Sequence, residues 1–156
     1  MSELYKHDME ITFQFKHFNE LSKFELYDLL KLRTDVFVVE QNCPYPELDQ
    51  KDLAAFHCLC LKNNHLIGTA RIFGNGLAYQ ECAIGRFVLD ENQRSNGYGH
   101  LMMEQCIKFV KEEFKTTEIR ISAQEHLKGF YGKHGFKVVS NIYLEDNIPH
   151  VEMLKL

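Results

Sequence analysis

The most constraining stretch of this sequence is a strand that runs through a glycine-bearing loop straight into a helix. Tyr79–Leu89 is largely apolar and ends in Phe87-Val88-Leu89, and Asp90–Asn96 is polar throughout. From about Gly97 to Phe114, Met103, Ile107, Val110 and Phe114 then recur at the spacing of a helix with one buried face. A strand feeding an amphipathic helix lays that helix back on a sheet, which directs the chain toward a layered architecture of sheet and helices. Gly97 and Gly99 fall in the first helical turn, where each costs about 1 kcal/mol relative to alanine. Such a placement asks for a compensating use.

The flanks extend the pattern. Met9–Phe15 alternates Ile11, Phe13 and Phe15 against Glu10, Thr12 and Gln14, the period of a half-buried strand. Ser22-Lys23-Phe24-Glu25 is a capping box, and the helix it opens is expected to run to about Val39. Leu26, Leu29, Leu30, Arg33 and Phe37 mark its apolar face, which Arg33 alone interrupts. Gln41–Leu53 is irregular: Cys43-Pro44-Tyr45-Pro46 blocks helix and central strand, and Glu47, Asp49 and Asp52 read as a solvated acidic loop. Phe56–Lys62 and His65–Phe73 form a hairpin about Asn63-Asn64, and Gly74-Asn75-Gly76 turns the chain into the Tyr79–Leu89 strand. After the long helix come a strand at Glu118–Ala123, a short helix at Glu125–His134 closed by Gly135, and strands at Phe136–Val139 and Ile148–Leu154. The predicted fold is α/β (α+β): a mixed, mostly antiparallel central sheet of six to seven strands with helices on both faces. With 156 residues, 45% of them hydrophobic, the chain is expected to form a single domain over 1–156.

Charge and cysteine usage exclude several classes. The net charge is −4 and no Lys/Arg run exceeds two residues, so no nucleic-acid partner is expected. Met1–Glu10 carries Glu3, Lys6, His7, Asp8 and Glu10, unlike the apolar core of a signal peptide. No run approaches the roughly 18 apolar residues of a membrane span. Five cysteines, none in a C-x-x-C pair, point to a reduced chain with no metal. A soluble, cytoplasmic protein is the expectation.

The loop before the long helix carries the chemistry. Free N–H groups at a helix N-terminus and the helix dipole attract anions. Glycines at 97 and 99 let a phosphate approach the backbone, and Arg94 can add a charge-assisted bond. The competing reading is an ordinary helix start. A dinucleotide fingerprint needs a third glycine where Met102 stands, and a P-loop needs G-K-[ST]; both are absent.

Arg94-x-x-Gly97-x-Gly99 in this context resembles the Q/R-x-x-G-x-G/A motif of the GNAT acetyltransferase superfamily. Gly129-Phe130-Tyr131-Gly132-Lys133-His134-Gly135-Phe136 resembles its second landmark, a Phe-Tyr pair on a short helix ending in Gly-Phe. Leu32-Arg33-x-x-Val36-Phe37-Val38-Val39-Glu40-Gln41, Gly85-Arg86, Ala123-Gln124-x-His126-Leu127 and Ile148-Pro149-His150 resemble the ElaA-like branch.

That resemblance implies an N-acetyltransferase moving acetyl from acetyl-CoA, its co-substrate, to a primary amine on a small molecule, peptide or protein. The alternative is a non-catalytic acyl-CoA-binding sensor or interaction module of the same fold. Phe87, Val88 and Leu89 would line the cofactor groove, and Arg94, Ser95, Asn96, Gly97, Tyr98, Gly99 and His100 would cradle the pyrophosphate. Gln124 would reach the pantetheine arm. Tyr131 would protonate the departing thiolate, though on its own it also reads as a core aromatic. The base that deprotonates the amine is not fixed by the resemblance. Glu40, His57, His126 and His150 are candidates, with Glu40 and His126 ranked first. Glu40 is equally expected to pair with Arg33, and the strand histidines His57 and His150 read as structural. Glu47, Asp49 and Asp52 border the acceptor side and suit a cationic substrate. A homodimer is a mild expectation from the superfamily.

Overall fold

The computed structural model describes residues 10–156; the predicted strand start at Met9 lies outside them. Strand β1 is Ile11–His17, two residues later than the sequence places it. Ser22 caps helix α1, Lys23–Arg33, with the reciprocal Glu25 bond that the capping box predicts. Beyond Arg33 the helix does not continue as expected to Val39 but widens into a π-helical turn over Thr34–Glu40. Gln41 N–H reaches back to the Val36 carbonyl at 3.1 Å and Cys43 N–H to that of Val38 at 3.0 Å. Branched valines at 36, 38 and 39 crowd an α-helical turn, and turns of this kind gather at functional sites.

Strands β2 (Phe56–Lys62) and β3 (His65–Phe73) form the predicted hairpin, and β4 is Cys82–Leu89. Helix α2 spans Tyr98–Phe114, with Met102, Met103, Cys106 and Val110 fully buried. Its buried stripe is therefore rotated from the predicted one, with Ile107 and Phe114 only partly covered. Strand β5 is Ile119–Gln124. The predicted short helix is split into a 3-10 turn at Glu125–Leu127 and helix α3, Lys128–Gly132. Gly135 takes the left-handed conformation anticipated for it, with φ of 89°. β6 (Lys137–Val138), β7 (Tyr143–Glu145) and β8 (Ile148–Lys155) end the chain.

The strands form one sheet in the order β1-β2-β3-β4-β5-β8-β6, with β7 also on β8. Among the described residues it has eight strands, more than the predicted six to seven because β7 was not anticipated. All pairings are antiparallel except β4–β5. The main core lies under α2 and α3, where Ile72, Met103, Ile121, Phe136 and Met153 meet. A smaller cluster of Leu32, Val36 and Val88 seals α1 against the other face. Among the described residues no helix is long and apolar enough to cross a membrane.

Candidate active site

Two irregularities in the sheet open the site. The parallel β4–β5 ladder contains only Cys82↔Ile119 and Ala83↔Arg120. Past Ala83, β4 stays with β3 while β5 stays with β8, so the two strands part as a wedge. Opposite the wedge, the β3–β4 register jumps from Arg71↔Gly85 to Thr69↔Val88. This bulge puts Arg86 at φ of 46° and bends β4 away, as bulges beside active sites do. Main-chain groups that a regular ladder would use are thereby left for a ligand.

The wedge widens into a cleft of about 540 Å³, within the usual size of a small-molecule site. Phe87, Val88 and Leu89 form one wall and Gln124 the other. Ser95, Gly97, Gly99 and His100 line the end where α2 begins, whereas Asn96 and Tyr98 are not among its walls. The loop turns through left-handed conformations at Ser95 (φ 68°) and Gly97 (φ 80°). Gly97 is the N-cap and gives no side-chain cap, so the first-turn N–H groups keep their capacity for an anion. A Cβ on Gly99 would meet Leu89 Cδ1 at 3.4 Å and the Phe130 ring at 3.5 Å, ordinary contact distances. The residues present fit an acyl-CoA: a phosphate-accepting helix end, an apolar wall and open strand groups.

Arg94 stands at this end but is turned elsewhere than expected. Its guanidinium grips Glu40 through two bonds of 2.8 and 3.0 Å and donates to the Leu89 carbonyl at 3.0 Å. Glu40 therefore pairs with Arg94, not with Arg33, and the strap ties the π-helical turn to the end of β4. Across the cleft, Gln124 Nε2 donates to Gln41 Oε1 at 3.2 Å.

Tyr131 is 9% exposed and lines the cleft. Phe87, Phe130 and Phe136 surround its ring at centroid distances of 6.4, 5.2 and 6.1 Å. Burial pushes its pKa up to about 12, so the phenol holds its proton throughout the neutral range. Core packing and cleft access, opposed readings in sequence, coincide at this residue.

The remaining candidates separate by place. His126 is exposed on the cleft rim. His150 is 7% exposed and also lines the cleft. His57 is 1% exposed, bonds the Asp52 carbonyl at 3.1 Å and stands apart from the cleft. Burial lowers its pKa, so it is a neutral core histidine.

The acidic loop is not solvated. Arg33, 1% exposed, donates to Glu47 at 2.6 and 3.0 Å and to Asp52 at 2.8 and 3.2 Å. Arg71 binds Asp49 at 2.8 and 3.0 Å and Asp52 at 3.1 Å. Arg86 Nε lies 3.0 Å from Glu47, close enough for an ion pair though not aligned for a hydrogen bond. Burial alone would raise the Asp52 pKa, but hydrogen bonds and charge from Arg33 and Arg71 outweigh it and hold the carboxyl low. The three carboxylates are thus spent on three arginines rather than offered to a cationic substrate. The sequence signal was Arg33 on an otherwise apolar helix face, which demands a buried counter-charge.

Sequence analysis missed β7 and, with it, one rim of the cleft. Asp146 and Asn147, with φ of 50° and 62°, make a two-residue hairpin turn between β7 and β8. An Asp-Asn pair between strand-like segments was the available signal.

Residues 34–156 match the family model described as Acetyltransferase (GNAT) domain. The chain is 44% identical over 145 residues to UPF0039 protein C11D3.02c of Schizosaccharomyces pombe, covering 92% of this chain and 95% of that one. It is 38% identical over 147 residues to protein ElaA of Escherichia coli, covering 93% and 96%. The solved structure of ElaA superposes with a TM-score of 0.87 over 94% of this chain and 99% of its own. An acyl-CoA N-acyltransferase from Pseudomonas aeruginosa, 38% identical, gives 0.88 over 94% and 99%.

Proposed function

This chain belongs to the GNAT acetyltransferase family, in its ElaA-like branch, and from that premise we propose that it transfers acetyl from acetyl-CoA to a primary amine by direct attack. The observation that carries the reading is the wedge between β4 and β5, with the open start of α2 at one end and Tyr131 in its wall. Backbone N–H groups of Ser95, Gly97, Gly99 and His100 take the pyrophosphate, and the bulged β4 at Phe87–Leu89 receives the pantetheine arm, with Gln124 opposite. Arg94 acts through its strap to Glu40, which fixes the loop. That bond engages the Glu40 carboxylate and ranks it below the other candidates for the base.

Acetyl-CoA supplies an activated thioester; the protein orients it and manages protons. A protonated phenol within the cleft is suited to act as general acid to the departing sulfur. Retention of Tyr131 in the cleft favours turnover over a purely binding module. We read the chain as one catalytic domain, and its five unpaired thiols suit a cytoplasmic setting.

The test is thiol release from acetyl-CoA in the presence of a panel of primary amines. Wild type is expected to release thiol only with an amine present. Tyr131→Phe is expected to retain acetyl-CoA binding while kcat falls about 10²-fold. Binding without turnover of any amine would convert the reading to the sensor module.

A further inference from the structure

A histidine stands at the end of the cleft bordered by the β7–β8 hairpin. His150 lies on β8 opposite Gln124, 7% exposed and lining the cleft. Its Nδ1 is 2.6 Å from the Ile148 carbonyl. A carbonyl only accepts, so Nδ1 carries the hydrogen and Nε2 is the nitrogen left to take a proton. Nε2 is 3.2 Å from the carboxylate of Glu145 across the β7–β8 hairpin. The Tyr143 ring stacks on the imidazole at 6.1 Å, and the Tyr143 hydroxyl shares a short hydrogen bond with Ser122 of β5. The ring is therefore held in orientation and tautomer by its own hairpin, with a carboxylate at its reactive nitrogen.

The other charges at this end are accounted for. Asp146, in the same turn, lines the cleft and adds a second acidic group. Arg86 of β4 also lines it, but Glu47 and Asp49 face that guanidinium. Glu40 is engaged by Arg94. On β5, the neighbours Ser122 and Gln124 are uncharged. What faces an incoming ligand beside His150 is net negative.

We propose that Glu145 and His150 are the acceptor's ammonium site and base: Glu145 binds a primary ammonium, and His150 Nε2 removes its proton. The inference rests on the acetyltransferase reading above and deepens it. The ammonium inserts between the carboxylate and the neutral imidazole, taking the place of a direct contact that is an ion pair only while Nε2 carries a proton. Transfer of one proton to Nε2 leaves a neutral amine and an imidazolium stabilised by Glu145. The amine lone pair forms the carbon–nitrogen bond to the thioester carbonyl; the carbon–sulfur bond breaks and its electron pair stays on sulfur, which takes a proton from Tyr131. Over the turnover the nitrogen loses two protons and sulfur gains one. The second proton shed by nitrogen restores Tyr131 through solvent, and His150 passes the first to water, so one proton is released.

The experiment compares wild type, His150→Gln and Glu145→Gln with tyramine, 1,5-diaminopentane, lysine amide and a tripeptide amide as probes. Thermal unfolding with CoA is recorded for each protein as a folding and cofactor control. His150→Gln is expected to lose about 10²-fold in kcat, with the CoA-induced shift intact. Glu145→Gln, at the exposed end of β7, is expected mainly to raise the amine KM by about tenfold and to weaken any further stabilisation that the amine gives to the CoA complex. The proposal is overturned if wild type uses an amine but His150→Gln keeps the wild-type kcat or Glu145→Gln keeps the wild-type amine KM, a result that makes the pair a hairpin tie. It also falls if His150→Gln loses only thermal stability. Failure of wild type to bind CoA, or to acetylate any probe, overturns the acetyltransferase reading itself.

Discussion

The phenol of Tyr131 shows how one side chain belongs to the core and to a cleft wall together. Its ring fills the space between Phe87, Phe130 and Phe136, and the same burial that makes it a core residue raises its pKa to about 12. An ordinary phenol begins to titrate near pH 10. A raised value moves that loss upward, so an acid role for Tyr131 gives no alkaline fall in kcat between about pH 8 and 10. A pH–rate profile of wild type in that range checks this; a fall traceable to Tyr131 would mean the site is wetter than its surroundings indicate. The two glycines separate by backbone rather than by neighbourhood. Nothing lies within 4 Å of a Cβ on Gly97, yet its φ is 80°. Gly97→Ala therefore costs about 1–2 kcal/mol from conformation alone, measurable by denaturant unfolding. Sequence inspection found both glycines but not this difference, because φ is set by how the loop from Asp90 must climb to α2.

Elements were legible to the extent that periodicity wrote them. The β2–β3 hairpin and the capping box of α1 stand where alternation and local hydrogen-bond chemistry put them. The bulge at Arg86 was not legible, since it arises from pairing with β3, while the π-helical turn and the short β7 left only local signals, the valines after Asp35 and the Asp146-Asn147 pair, that periodicity does not weigh. The acidic loop is the clearest case. Glu47, Asp49 and Asp52 look solvated until the fold brings Arg33, Arg71 and Arg86 to them. Removing one member leaves buried charge uncompensated, which costs about 3–5 kcal/mol. Arg33→Ala is expected to lose that much in urea unfolding, while Arg33→Met with Asp52→Leu recovers part of it. Asp49 and Asp52 have lowered pKa values in the folded state, where arginine bonds outweigh the effect of burial. Their stabilisation is complete above the unfolded value of about 3.9 and is lost as pH falls through the lower folded values. The folded chain is thus expected to resist acid down to about pH 4 and to weaken below it. A midpoint unchanged from pH 5 to pH 2 would contradict the network's role.

For the molecule as a whole, fold class followed from the strand–loop–helix passage and the hairpins around it, and many residues of the family motifs line one cleft. What sequence could not give was which candidates share that cleft. Glu40, His126, Tyr131 and His150 do, and His57 does not. That outcome depends on where β4 and β5 part, a property of the sheet rather than of any segment. The start of α2 is proposed to bind the pyrophosphate of CoA. The direct measurement is thermal unfolding of wild type and Gly99→Glu with acetyl-CoA, CoA, ATP and NAD in parallel. A glutamate in the first turn suits the helix dipole, and its Cβ meets Leu89 and Phe130 at contact distance, so the unliganded midpoint is expected to stay within a few degrees. At 100 times its dissociation constant a ligand adds about 2.7 kcal/mol, a rise of roughly 5–11 °C for a chain of this size. That rise is expected for acetyl-CoA and CoA with wild type, and none with Gly99→Glu. A wild-type midpoint unmoved by either CoA form, or a shift that survives Gly99→Glu unchanged, would contradict it.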